Sequence, residues 1–256
     1  MKNRMALCLA MAAGFAMAAH PPYVGKWKVN LAKSDFGQMT VTYEQMAGGE
    51  IKFTADGQSY TFKVDGKDYS TPWGNTSAFK SLGANSLEET DKVDGKVTAV
   101  STIKVAADGK SLTVDTKQMQ ASGGSSNDSA VFQRVSGGPG LAGKWKTKNV
   151  KSSSPGVLDI ATNGSDGLKI TEVNEGGTCD AKLDGKDYPA TGPMWPSGWT
   201  CVIAKNGARA FDLTFKKDGK PMYKSTLTAS SDGKTLTETG GAVSSGEKIK
   251  AVYERQ

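Results

Sequence analysis

The chain has 256 residues, of which 37% are hydrophobic and 23% charged, with a formal net charge of +6 and a single histidine. The lysines and arginines are spread along the chain, so it lacks the basic stripe interleaved with aromatics that nucleic-acid binding requires. The single histidine, His20, precedes the first strand, so no Ser-His-Asp or Cys-His arrangement is available within the folded domains, and multi-histidine metal centres are excluded as well.

The first segment reads as a targeting sequence. Lys2 and Arg4 precede an apolar run from Met5 to Ala19, and Ala16-Met17-Ala18 forms a small-x-small cleavage site. Residues 1–18 are therefore predicted to be a signal peptide, with the exported chain starting at Ala19 and residing in the periplasm or outside the cell. The run is shorter than the roughly 20 residues a membrane helix needs, and no later segment is apolar enough to cross. Cys8 lies inside the apolar run and not at its end, which argues against a lipid anchor. His20 falls at or beside the new terminus, but a copper brace needs a second histidine. It reads as a polar residue ahead of the first strand.

From Gly25 onward the pattern is β. Asp-Gly pairs occur at Asp56, Asp65, Asp94, Asp108, Asp166, Asp184, Asp218 and Asp232. Asp-Gly between alternating segments signals tight hairpins, because primed turns need positive φ. The flanking segments alternate accordingly: Ile51, Phe53 and Ala55 share one face, as do Tyr60, Phe62 and Val64, and Phe211, Leu213 and Phe215. Outside the leader no segment holds a helical period for three turns.

The same signals occur twice. Gly25–Lys28 (GKWK) returns at 143–146, VDGKDY at 64–69 returns as LDGKDY at 183–188, and the closing VFQRV at 131–135 resembles VYERQ at 252–256. The offsets lie between 118 and 124 residues, the size of a domain and too long for a solenoid repeat. Ser136-Gly137-Gly138-Pro139-Gly140 stands between the copies. The predicted organisation is thus a first β domain over 19–135, a Gly/Pro linker over 136–140 and a second β domain over 141–256. Each has about eight or nine antiparallel strands. Sequential hairpins of that number predict two tandem up-and-down β-barrels, since closure removes exposed edges. A sandwich is the alternative architecture.

Cys179 and Cys201 remain after leader removal, an even number in an exported protein, and are predicted to form a disulfide. Two cysteines without histidine partners are too few for a metal site. Glu88, Glu89 and Asp91 cluster in SLEETDK, and Asp65 and Asp68 flank a turn; all are read as charges of exposed strands and turns. No calcium loop of the Asp-x-Asp-x-Asp-Gly type is present. No metal or other cofactor is implied.

Two loops concentrate aromatic residues: STPWGNTSAF at 70–79 and PATGPMWPSGW at 189–199. Small-molecule sites are concave and mostly apolar with a few polar groups. Trp73, Met194, Trp195 and Trp199 are therefore candidates to line or cover a ligand site at a barrel mouth. The alternative is that they plug the barrels.

Gly25-Lys26-Trp27 and Gly143-Lys144-Trp145 open the two copies, and Arg134 and Arg255 stand near their ends. This combination resembles the lipocalin and calycin arrangement, which implies barrels in which a first-strand Trp packs under an Arg of the last strand. The opening GKWKVNLAKSDF at 25–36 is also similar to uncharacterised secreted bacterial proteins with lipocalin-like domains. Only the first copy carries that continuation; the second has KNVKSSS. Trp27, Trp145, Arg134 and Arg255 are accordingly expected to be structural. The expected function is non-catalytic binding of a small, partly apolar or aromatic ligand. The alternatives are a structural or interaction module with filled barrels, contacting protein or glycan, and an enzyme using carboxylates at a barrel rim.

Overall fold

In the computed structural model, which describes residues 20–246 and 248–256, the chain is all-β. The expected leader and its cleavage site lie outside the described residues. The strands of the first half are β1 (Gly25–Val29), β2 (Thr40–Gln45), β3 (Ile51–Ala55), β4 (Gln58–Phe62), β5 (Asp68–Ser70), β6 (Thr76–Gly83), β7 (Ser86–Val93), β8 (Lys96–Val105), β9 (Ser111–Met119) and β10 (Ser125–Ser136). Those of the second half are β11 (Gly143–Ser152), β12 (Val157–Asn163), β13 (Gly167–Glu172), β14 (Gly177–Lys182), β15 (Tyr188–Thr191), β16 (Trp199–Lys205), β17 (Ala210–Lys217), β18 (Lys220–Ala229), β19 (Thr235–Ala242) and β20 (Ile249–Arg255). Among the described residues no helix is long and apolar enough to cross a membrane.

The Asp-Gly pairs act as turns for identifiable reasons. At Asp56-Gly57, Asp94-Gly95 and Asp218-Gly219 both residues have positive φ, the backbone of a two-residue primed hairpin. In the repeated DGKDY turn the aspartate serves differently. Asp65 Oδ1 accepts the backbone N–H of Lys67 and the Tyr69 hydroxyl, and Asp184 accepts the equivalent bonds from Lys186 and Tyr188. The turn recurs because the whole β unit recurs.

The strands form two ten-stranded antiparallel sheets, slightly larger than the eight or nine strands expected. One is a closed barrel in the order β1-β12-β13-β14-β15-β16-β17-β18-β19-β20. The other runs β4-β3-β2-β11-β10-β9-β8-β7-β6-β5 and is nearly closed. Across the gap between its end strands β4 and β5, Phe62 of β4 stacks on Phe79 of β6 at 3.7 Å, and Gly66 N–H donates to Phe79 O. The second barrel is tightened at the corresponding place by the disulfide Cys179–Cys201, which joins β14 to β16 on either side of the short β15.

The sheets do not follow the expected boundary at 136–140. That segment joins β10 to β11, which are paired neighbours in the first barrel. The crossings between barrels are instead at 30–39 and 153–156. The two repeats have exchanged their first strands: β1 closes the second barrel between β12 and β20, and β11 closes the first between β10 and β2. The physical reason is equivalence. Both strands begin Gly-Lys-Trp-Lys, so either satisfies either barrel, the condition under which an element is exchanged at little cost. The segment after β1 fastens this arrangement. Asp35 pairs with Lys250, Ser34 Oγ accepts the Val252 N–H, and Glu254 accepts from Asn30 and Lys33. The second copy needs no such fastening, because KNVKSSS simply continues β11 along β10.

Trp27 and Trp145 are fully buried, one in each core. The Arg255 guanidinium lies over Trp27 at 4.1 Å and donates to Gly233 O, Val24 O and Pro22 O. Arg134 lies over Trp145 at 3.9 Å and donates to Gly109 O, Ala142 O and Gly140 O. The glycine two residues before each Trp makes room for this lid. A Cβ on Gly25 would stand 2.3 Å from Arg255 Nη1, and one on Gly143 would stand 2.7 Å from Arg134 Nη1.

Candidate functional site

The second barrel is hollow toward one end. Its cavity of about 300 Å³ has an apolar floor and walls that include Leu158, Ile170, Leu213, Phe215 and Leu227. Strand alternation places these residues inward. Three of the four residues singled out by the aromatic loops complete the wall: Met194, Trp195 and Trp199. Trp195 stacks on Phe215 with ring centres 4.4 Å apart and tilts against Trp199 at 5.1 Å. Gly177 lies close beneath them, since a Cβ there would meet Met194 Sδ and Trp195 Nε1 at 2.7 Å. The disulfide ties β16, on which the loop ends, to β14, the neighbour of the strand β15 from which the loop starts.

Four polar side chains also reach this cavity: Glu172, Tyr223, Glu238 and Tyr253. Glu238 is 8% exposed and accepts hydrogen bonds from the Tyr223 hydroxyl at 3.2 Å and the Tyr253 hydroxyl at 2.9 Å. Burial, and then the charge of Glu238, hold both phenols well above the usual tyrosine range. Glu172 Oε2 accepts the backbone N–H of Glu175. Among the described residues no lysine or arginine lines the cavity. Among the described residues, ion pairs such as Lys92–Asp68 and Lys216–Asp187 involve other carboxylates, and neither Glu172 nor Glu238 takes part in one.

Trp73 is not in this cavity. It belongs to the first barrel, where its ring meets Phe53 and Tyr60 edge-on. It nevertheless meets the second loop, because Trp199 Nε1–H donates to Trp73 O at 3.0 Å. Pro196 closes the same seam, packing against Gly74. Between the barrels these residues border a cleft of about 330 Å³ that also touches Asn75, Asp91, Gln118 and Glu175. The two aromatic loops thus share one junction, with Trp195 and Trp199 facing both the cavity and the cleft.

Two of the three carboxylates of SLEETDK, Glu89 and Asp91, correct the expectation that they are merely surface charges. Glu89 and Asp91 share the inner face of β7 with Leu87, which packs on the first core. Asp91 Oδ1 accepts from Ser77 Oγ at 2.5 Å and from Asn75 Nδ2 at 3.1 Å. Burial pushes Glu89 up to about 8, with the nearby charge of Asp91 adding to the shift. Burial also raises Asp91, opposed by its bonds to Ser77 and Asn75.

The polar residues that sequence reasoning missed had a usable signal. Glu238 is two residues from buried Leu236, Glu172 two from buried Ile170, and Tyr223 four from buried Leu227. Each stands in phase with the apolar positions of its strand and therefore faces inward. Glu89 carries the same signal relative to Leu87. With this geometry established, comparison with known proteins adds no relative: the chain matches no family model and no curated protein.

Proposed function

We propose that this is an exported, lipocalin-like protein that binds a small, partly apolar ligand in its second barrel without transforming it. The observation that carries the reading is the cavity of about 300 Å³ walled by Met194, Trp195 and Trp199, at the lower end of the range typical of small-molecule sites. The loop is restrained by Pro189, Pro193 and Pro196 and by the disulfide at its base, so it loses little freedom when a ligand docks. Indole rings add wide contact area. Titrating small aromatic and aliphatic compounds while following tryptophan emission tests the reading. Trp195→Ala should weaken a bound compound by about 1–3 kcal/mol. Trp195 is preferred to Trp199 because the latter also bonds across the junction to Trp73. Unchanged emission across the panel, with Trp195→Ala lowering only thermal stability, would make the loop a plug.

A second reading rests on Asp91, which borders the cleft, and Glu89, two residues before it on the same strand face; both carboxyl groups have raised pKa, as acid–base chemistry requires. Hydrolysis of an oligosaccharide panel that Glu89→Gln abolishes would establish it. No turnover across the panel removes it.

A further inference from the structure

We infer that the ligand of the second-barrel cavity carries a protonated amine on a compact apolar or aromatic body. The inference rests on the binding reading above and names the chemistry that the cavity selects.

The polar part of the wall is one-sided. Glu172 and Glu238 supply acceptor oxygens, Tyr223 and Tyr253 already donate to Glu238, and among the described residues no lysine or arginine lines the cavity to balance the carboxylates. An ionised carboxylate away from water is expensive unless a positive group meets it. A ligand carboxylate would add a third negative charge to this wall. A ligand with no polar group would leave both carboxylates without a counter-charge. An ammonium group offers three N–H donors and the missing charge together.

Ser225 points the same way. It stands on β18 between Tyr223 and Leu227, both of which line the cavity. Ser225 is 6% exposed, and its Oγ has no hydrogen-bond partner among the described residues. The first repeat shows what is missing. Its counterpart 124 residues earlier, Ser101, shares a 2.8 Å hydrogen bond with Thr116 on the neighbouring strand. The residue 124 positions after Thr116 is Gly240, directly opposite Ser225, which has no side chain to offer. The second barrel therefore lacks this internal partner and leaves a buried hydroxyl unpaired on the strand face that carries Tyr223 and Leu227 into the cavity. Buried hydroxyls are seldom left unpaired.

The remaining wall suits the rest of such a molecule. Trp195 and Trp199 present aromatic rings, which attract organic cations as well as apolar groups. The volume corresponds to roughly ten water molecules, so the body is one or two rings and not a long lipid chain.

Isothermal titration of the exported chain with 2-phenylethylamine, 2-phenylethanol and phenylacetate at neutral pH tests the inference. The amine should bind at least about tenfold more tightly than the alcohol, and phenylacetate should bind most weakly. Glu238→Gln should remove about tenfold of the amine's affinity while leaving the alcohol nearly unchanged. Should Glu238→Gln disturb folding, Glu172→Gln is read in its place. Equal binding of amine and alcohol, or a preference for phenylacetate, overturns the amine inference and leaves the cavity reading standing. Failure of all three compounds to bind overturns the amine inference, and the wider panel with Trp195→Ala then decides the cavity reading.

Discussion

Arg255 covers the indole of Trp27 at 4.1 Å, although 228 positions of chain separate them, while Arg134 covers Trp145 across only 11. Each barrel is closed by a Trp and an Arg from different repeats. The two closures are alike in hydrogen bonding, each guanidinium satisfying three backbone carbonyls and each indole N–H a fourth.

The strand exchange predicts which cysteines can be joined. Lys26 faces Asp159 on β12, so Lys26→Cys with Asp159→Cys should oxidise to a second disulfide, identified by peptide mapping. In a barrel built from its own first strand, Lys26 would instead occupy the place of Lys144, opposite Thr42. Cross-linking of the Lys26→Cys, Thr42→Cys pair in place of the first would reject the exchange.

Arg255→Ala should destabilise the second barrel by about 2–4 kcal/mol, because it uncovers Trp27 and leaves three carbonyls without their charged donor. Arg255→Lys should recover only part of this, since an ammonium cannot reproduce the planar fork. Denaturant melts measure both. Full recovery by lysine would mean that charge alone matters at this position.

Reduction of Cys179–Cys201 should cost roughly 3 kcal/mol in the chain-entropy model for bridged residues 22 positions apart. For a chain of this size that lowers the melting temperature by about 6–12 °C. The loss should be accompanied by a change in Trp195 and Trp199 emission, because the bridge anchors β16, which follows their loop and begins at Trp199. Calorimetry with and without reductant showing the same transition would contradict this role.

The raised pKa of Glu89 gives stability a definite pH slope. Its folded value of about 8 lies above the 4.5 of an exposed glutamate, so the folded state holds the proton more tightly. The contribution is therefore complete below about pH 4.5 and fades as pH rises through 8. Glu89→Gln should flatten this slope and stabilise the protein at pH 9 by about 1–2 kcal/mol. Equal sensitivity of wild type and variant between pH 5 and 9 would show that Glu89 is solvated.

Local pattern was enough to establish the β class, the duplication, the turns and the cysteine pairing. The reasons are short-range: alternation reports which face of a strand is apolar, and Asp-Gly reports where positive φ is tolerated. Gly-x-Trp and the terminal Arg were legible through their resemblance to the lipocalin arrangement, and the structure supplies the physical reason, since a Cβ on either glycine would collide with the guanidinium. Candidate wall residues Met194, Trp195 and Trp199 were likewise visible as an aromatic loop between two cysteines. Strand ownership was not. Residues 25–28 and 143–146 are identical, so nothing local distinguishes the barrel each one closes, and only the fastening of Ser34 and Asp35 to β20 does so. The placement of Trp73 apart from the cavity, and of Glu172, Glu238 and Ser225 around or beside it, also required the closed sheets. Alternation can say that a side chain faces inward, but barrel closure decides what it meets there.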